Sequence, residues 1–292
     1  MMISVLSFIK MLRPHQWVKN LFVFAPAFFA KQFFAPRTLL FASLGFIAFC
    51  CAASSVYILN DLVDRSADRA HPVKKNRPIA SGSIAVPVAV ATMLALTLIS
   101  FAIAIGLPRL TGYCIVGYLA LNIAYSFFLK RIAYVDAFAI ASGFELRVLA
   151  GAAAESIKAS TYLLVVTMVL ALFLALGKRA HELSQGEPAY DRRAVLRHYS
   201  KRTLAILLYF AASSTIAVYL AYALDPETVS SFGTNLLPWT TVFVAIGVLR
   251  FVWLVNHGQS AESPTERMLS DWPFLTNIVL WTIAVLFLIY AK

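Results

Sequence analysis

Asn60-Asp61-Leu62-Val63-Asp64-Arg65-Ser66-Ala67-Asp68 follows directly on an apolar run, Leu39 to Leu59, that is long enough to cross a bilayer. Read as a helix, positions 61, 64 and 68 obey the i, i+3, i+7 rule and share one face, and Asn60 adds a neutral oxygen one turn from Asp64. Hard oxygen ligands so placed suit Mg2+, which reaches a protein through one or two carboxylates and completes its shell with water and phosphate. The segment that follows, Arg69-Ala70-His71-Pro72-Val73-Lys74-Lys75-Asn76-Arg77-Pro78, supplies cations for the phosphates that such a metal bridges. A solvated acidic loop is the plain alternative. The membrane end before the motif and the basic run after it favour a metal–diphosphate site.

Hydrophobic residues make up 60% of the 292-residue chain and charged residues 13%, too few to cover a soluble protein of this size. Apolar windows predict an all-α integral membrane protein with nine transmembrane helices, near 20–35, 38–59, 86–106, 110–129, 134–153, 161–177, 203–223, 237–256 and 274–291. Pro26 interrupts the first window, and the fifth carries Asp136, Glu145 and Arg147. No polar stretch exceeds a loop, so residues 1–292 read as a single multi-pass membrane domain. The start of the chain lacks the pattern of a cleaved signal peptide. Cys50, Cys51 and Cys114 lie in apolar runs and read as packing residues. Trp17, Trp239, Trp253 and Trp272 read as interfacial anchors.

Eighteen of the 25 Lys and Arg residues collect on the side of the amino terminus and of the loops after the even-numbered spans. Lys31, Arg37, Arg109, Lys158 and Lys292 fall on the other side. This bias predicts an amino terminus and a charged face on the cytoplasmic side of the inner membrane. The net charge of +11 is then mostly one surface, which anionic lipid also suits. No soluble recognition module points to nucleic acid.

The same face carries a second acid–base cluster. Tyr125-Ser126-Phe127-Phe128-Leu129-Lys130-Arg131 closes the fourth span and Asp136 opens the fifth. Asp136, Ile140, Gly143 and Arg147 lie along one helix face, and an arginine that deep should face the bundle interior or a polar cavity. An ion pair of Arg147 with Glu145 or Asp136 and a ligand role are both open. Lys178-Arg179-Ala180-His181-Glu182 ends the sixth span, with Asp191-Arg192-Arg193 beyond it. That loop reads as an anion clamp or as a lipid anchor. No second histidine stands at ligand spacing to His181.

Together these motifs resemble the UbiA superfamily of intramembrane prenyltransferases: Asn-Asp-x-x-Asp-x-x-x-Asp after the second span, Tyr-Ser-x-x-Leu-Lys-Arg after the fourth, and nine spans overall. A narrower branch, the decaprenyl-phosphate phosphoribosyltransferases, is echoed by Leu12-Arg13-Pro14-His15-Gln16-Trp17-Val18-Lys19-Asn20 and by His71-Pro72 with Lys75-Asn76-Arg77-Pro78-Ile79-Ala80-Ser81-Gly82. Gly143-Phe144 with Arg147 and Ala150-Gly151, and Gly177-Lys178-Arg179 with Glu182, extend the likeness. One departure stands out. Prenyl-diphosphate users carry a second acid-rich motif after the sixth span, where this chain is more basic than acidic.

The resemblance implies a UbiA-like bundle with a cytoplasm-facing active site and a Mg2+-dependent pentosyltransferase activity. It implies transfer of 5-phosphoribose from 5-phosphoribosyl diphosphate to a polyprenyl (decaprenyl) phosphate for cell-envelope glycan synthesis. Asp61, Asp64 and Asp68 are then the metal ligands, and Asp61, Asp64, Lys130 and Asp136 the catalytic set. Substrate contacts fall to Arg13, Gln16, Lys19, Asn60, Lys75, Arg77, Tyr125, Arg131, Arg147, Lys178, Arg179 and Glu182. Prenyl transfer from an allylic diphosphate to an aromatic acceptor is the alternative. A transporter or flippase is a third reading, weakened by the lack of an internal repeat. The oligomeric state is open, a homo-oligomer included.

Overall fold

Proline sets several helix starts in this chain, because its fixed φ and missing N–H suit the first turn and no later one. The computed structural model describes residues 4–70, 73–185, 194–257 and 264–291. Helix α1 (Val5–Leu12) leads through Arg13 into a 3-10 helix (Pro14–Phe24) and α2 (Ala25–Phe29). Next come α3 (Pro36–Val63), α4 (Arg65–Ala70), α5 (Val86–Ile105), α6 (Arg109–Phe127), α7 (Val135–Ala154) and α8 (Thr161–Ser184). A 3-10 turn (Ala194–His198) precedes α9 (Lys201–Leu224), α10 (Pro226–Phe232), α11 (Thr241–His257), α12 (Pro264–Arg267) and α13 (Trp272–Tyr290).

Among the described residues eight helices are long and apolar enough to cross a membrane: α3, α5, α6, α7, α8, α9, α11 with its preceding turn (Leu237–His257), and α13. They coincide with eight of the nine expected windows. The first window, 20–35, differs. Its start is 3-10 helix, its α-helix lasts five residues, and Lys31 adopts a left-handed φ of 58°. Pro26 lies in the first turn of α2, so no continuous helix forms there. The acidic stretch differs too. Helix α3 stops at Val63 with Asp64 as its C-cap, which places Asp68 on α4 and not on one unbroken helix face. His71-Pro72, Asp191-Arg192-Arg193 and Lys292 lie outside the described residues.

The chain folds as two compact units, residues 1–130 with 142–159 and residues 131–141 with 160–292. In the first, α3 packs against α1, α5, α6 and the 3-10 helix. Its buried face is rich in Ala42, Gly45, Ala48, Ala52, Ala53, Ser54 and Ser55, small residues that let helices approach closely in an apolar medium. Ser100 Oγ donates to Ala48 O (2.9 Å), and Ser55 Oγ lies 2.7 Å from Thr97 Oγ1, so hydroxyls join α3 to α5. Phe49, Val56, Ile115 and Tyr118 fill this core. In the second unit Phe173, Leu176, Leu204, Leu208, Val248 and Phe251 form the core between α8, α9 and α11. Arg250 grips Asp271 with two hydrogen bonds (3.0 and 2.8 Å), and Asp271 also caps α13 through Phe274 N. The adjacent Arg250 holds the Asp271 carboxyl below its usual range.

Two positions in the first unit generate tests. A Cβ added at Gly151 would stand 1.9 Å from Val23 O, so only glycine lets α7 meet the 3-10 helix backbone. Gly151→Ala should cost about 1–3 kcal/mol, read as a lower thermal midpoint of the purified protein. Glu155, one residue past α7, buries both carboxylate oxygens with no hydrogen-bond partner among the described residues. Burial pushes its carboxyl from 4.5 up to about 8. The folded protein therefore keeps a proton that the unfolded chain has lost, and stability falls as pH rises from about 4.5 toward 8. Glu155→Gln should melt above the wild type at pH 8 and together with it near pH 4.

Candidate active site

The end of α3 presents a buried carboxylate to cations from two other segments. Asp61 is 2% exposed, and its Oδ1 accepts from Arg13 Nη2 (2.5 Å) and Arg77 Nη1 (3.0 Å). The same Arg77 nitrogen donates to Asp68 Oδ2 at 2.7 Å, and Asp68 is also buried. Two carboxylates thus converge on one cationic nitrogen. The outermost aspartate is handled separately: Lys130 Nζ lies 2.7 Å from Asp64 Oδ1, and the Asp64 side chain is 41% exposed.

Local structure fixes the basic partners. Arg13 takes the left-handed conformation (φ 53°, ψ 57°) between α1 and the 3-10 helix, which turns its side chain toward α3, with its guanidinium 5.2 Å from the Tyr57 ring centre. Trp17 Nε1 donates to Ser54 Oγ (3.0 Å), and Ser54 Oγ donates to Leu12 O (2.8 Å), so this corner is tied to α3. Arg77 follows a 3-10 turn (Lys74–Asn76) and precedes buried Pro78, Ile79 and Ala80. Arg69 Nε donates to Ala80 O at 3.0 Å, which holds that loop. The Asn60 side-chain oxygen accepts from Ser126 Oγ (2.6 Å), linking the acidic motif to α6.

Arg147 is buried in the first unit and is held by neutral groups. Its Nε donates to Asn20 Oδ1 (2.8 Å), Nη1 to Gly143 O (2.6 Å) and Nη2 to Tyr118 OH (3.1 Å). The rings of Phe49, Tyr118 and Phe144 surround the guanidinium at 4.7–5.8 Å. Of the roles left open for Arg147, the ion pair is not the one it takes: its partners are amide, carbonyl, phenol and π groups and not Glu145 or Asp136. These stabilise a cation without a second buried charge.

Asp136 belongs to the second unit and to a network of ion pairs and hydrogen bonds. It is fully buried, accepts from Arg179 Nε at 2.7 Å, and receives a very short hydrogen bond from Tyr199 OH. Arg179 Nη1 reaches Glu182 Oε2 at 2.6 Å, and Arg179 is itself 1% exposed. Tyr199 OH accepts from Tyr134 N (2.9 Å), and the two rings lie 4.6 Å apart. Burial and the Asp136 carboxylate raise the Tyr199 phenol well above its ordinary value, so it stays protonated and donates.

The expected site residues therefore separate by unit. Asn60, Asp61, Asp64, Asp68, Arg13, Arg77 and Lys130 come together at one end of the first unit, and Arg147 lies within it. Gln16 and Asn20 are buried on the 3-10 helix, Lys19 and Tyr125 are half-buried, and Lys75 is exposed. Asp136, Arg179 and Glu182 meet in the second unit, where Lys178 is half-buried and Arg131 exposed. Ser126, part of the motif that closes the fourth span, joins these networks, as do Tyr118 and Tyr199, to which the motifs give no role. A tyrosine hydroxyl inside an apolar window is the signal that could have found Tyr118.

A divalent cation fits this arrangement in part. Among the described residues no three acidic, histidine or cysteine side chains sit close enough to cage a metal. The paired oxygens of Asp61 and Asp68 already share a cation, which suits an ion that takes most of its shell from water and phosphate. Removing the Asp136 charge leaves Arg179 paired with the partly exposed Glu182 and strips the charged acceptor from Arg179 Nε. Asp136→Asn should cost about 1–3 kcal/mol, seen as a lower thermal midpoint of the purified protein.

A family model described as the UbiA prenyltransferase family matches residues 20–278. The decaprenyl-phosphate phosphoribosyltransferase of Corynebacterium glutamicum is 35% identical over 97% of this chain and 86% of its own length. The enzyme of that name from Mycolicibacterium smegmatis is 32% identical over 91% of this chain and 87% of its own. Among solved structures, a UbiA homolog from Archaeoglobus fulgidus bound to DMAPP and Mg2+ superposes with a TM-score of 0.73 at 17% identity, covering 98% of this chain and 100% of that one.

Proposed function

The chain belongs to the UbiA prenyltransferase family and is an integral membrane protein; from that premise we propose that it transfers 5-phosphoribose from 5-phosphoribosyl diphosphate to a polyprenyl phosphate such as decaprenyl phosphate. The products are polyprenyl-phosphoryl-5-phosphoribose and diphosphate, and the lipid product serves cell-envelope glycan synthesis. The observation that carries this reading is the likeness, along almost the whole chain, to relatives named for that reaction. The matched set of three aspartates and three cations in the first unit supports it chemically.

The reaction breaks the bond between the anomeric carbon and the diphosphate oxygen and forms one from that carbon to a lipid phosphate oxygen. The lipid phosphate is already anionic near neutral pH, so no strong general base is needed. Mg2+, when bound, would act as a Lewis acid on the departing diphosphate, and Asp61, Asp64 and Asp68 would hold it. Arg13, Arg77 and Lys130 orient the phosphate oxygens with charge-assisted hydrogen bonds, and Gln16, Lys19, Asn60, Lys75 and Tyr125 complete the pocket. Arg147 supplies a fixed positive charge with no carboxylate to cancel it. In the second unit Asp136 and Glu182 hold Arg179.

The amino terminus and the site are placed on the cytoplasmic side of the inner membrane, on the Lys and Arg bias of the loops. The window 20–35, which holds the end of the 3-10 helix and α2, is taken as the ninth membrane element of one multi-pass domain.

The test is a competition between donors on the purified, lipid-reconstituted protein with Mg2+. Labelled 5-phosphoribosyl diphosphate with polyprenyl phosphate is set beside labelled prenyl diphosphate with aromatic acceptors. Label should pass from the ribosyl donor into the organic phase, and Asp61→Asn should slow it by about a hundredfold or more. Transfer from the prenyl donor alone would make the protein a prenyltransferase.

A further inference from the structure

One nitrogen of Arg77 occupies the point where the buried carboxylates of the acidic motif meet. Arg77 Nη1 lies 3.0 Å from Asp61 Oδ1 and 2.7 Å from Asp68 Oδ2, a position between two anionic oxygens that a divalent ion would itself seek. Both carboxylates are nearly inaccessible, at 2% and 3% exposure, while the guanidinium sits on them. The site is also balanced in charge. Asp61, Asp64 and Asp68 are matched one for one by Arg13, Arg77 and Lys130. A bare divalent ion entering there adds two positive charges and releases a guanidinium with no new partner, which is costly in a buried setting. A diphosphate arriving with the metal removes that cost, because its oxygens accept from the displaced arginine.

The loop is built for such a movement. Its backbone is fixed: Arg77 N donates to Lys74 O (2.9 Å), Ser81 N to Arg77 O (2.9 Å) and Ile84 N to Pro78 O (3.0 Å). The Arg77 side chain is 29% exposed, far more than either carboxylate it binds. A long side chain on a pinned backbone can turn outward without unfolding the loop.

We infer that Arg77 is an internal placeholder for the metal, which surrenders Asp61 and Asp68 only when a diphosphate takes its guanidinium. Metal and diphosphate therefore bind with positive coupling, and the coupling passes through one side chain. This inference rests on the reading of the motif as a metal–diphosphate site, and it concerns binding rather than transfer.

The test titrates Mn2+, a paramagnetic substitute for Mg2+, into the full-length protein in lipid, followed by electron paramagnetic resonance with and without inorganic diphosphate. The complex that forms in solution is measured separately and subtracted. Wild-type protein should bind Mn2+ alone weakly and about tenfold more tightly with diphosphate, and the metal should tighten diphosphate by the same factor. Arg77→Met should bind Mn2+ alone about tenfold more tightly than wild type and lose most of the diphosphate dependence. Arg77→Gln is run beside it and read in its place if the methionine variant is not monodisperse. Wild-type and variant proteins that bind Mn2+ alone equally, or that keep equal diphosphate dependence, would overturn the exchange. Ribosyl transfer is scored separately, so intact exchange without transfer counts against the function and not against Arg77.

Discussion

Burial of the Asp61 carboxylate is the constraint around which the first unit is arranged. A charge that is 2% exposed at the end of a transmembrane helix must be neutralised or it will not stay charged. Arg13 comes to it from a left-handed corner 48 residues earlier and Arg77 from a loop 16 residues later. Satisfying one carboxylate therefore fixes the angle at which the amino-terminal segment meets α3 and the position of the loop after α4. The Ser126–Asn60 and Lys130–Asp64 contacts bring the end of α6 to the same place.

The chain answers the cost of buried arginine in two ways. Arg179 is neutralised by Asp136 and Glu182, in a network that Tyr199 joins by donating to Asp136. Arg147 is solvated by an amide, a carbonyl, a phenol and three aromatic faces, and keeps its full positive charge. The difference matters for anionic substrates. A neutralised arginine contributes little field beyond its own contacts, whereas one held by dipoles and π faces still attracts phosphate at a distance.

Much of this was legible in the sequence because membranes simplify the code. Eight apolar windows became eight helices, since a bilayer leaves helical hydrogen bonding as the main way to satisfy the backbone. The window at 20–35 is apolar in composition, yet Pro26 and the left-handed Lys31 prevent one continuous helix there. The acidic motif was readable as a cluster, but for the wrong geometric reason: α3 ends at Asp64, and Arg77 gathers Asp61 and Asp68 across the break. Long-range partners stayed hidden. Asn20 and Arg147 are 127 residues apart, and Tyr199 and Asp136 are 63 apart, separations that no local periodicity encodes.

The three aspartates also differ in how much water they see. Asp64 meets Lys130 with its carboxylate 41% exposed, while the Asp61 and Asp68 carboxylates are buried and only their arginine partners reach solvent. Mobile ions weaken the first contact more than those of the buried carboxylates. Ionic strength thus acts most on one pair of this motif: the rim loosens in salt before the base does.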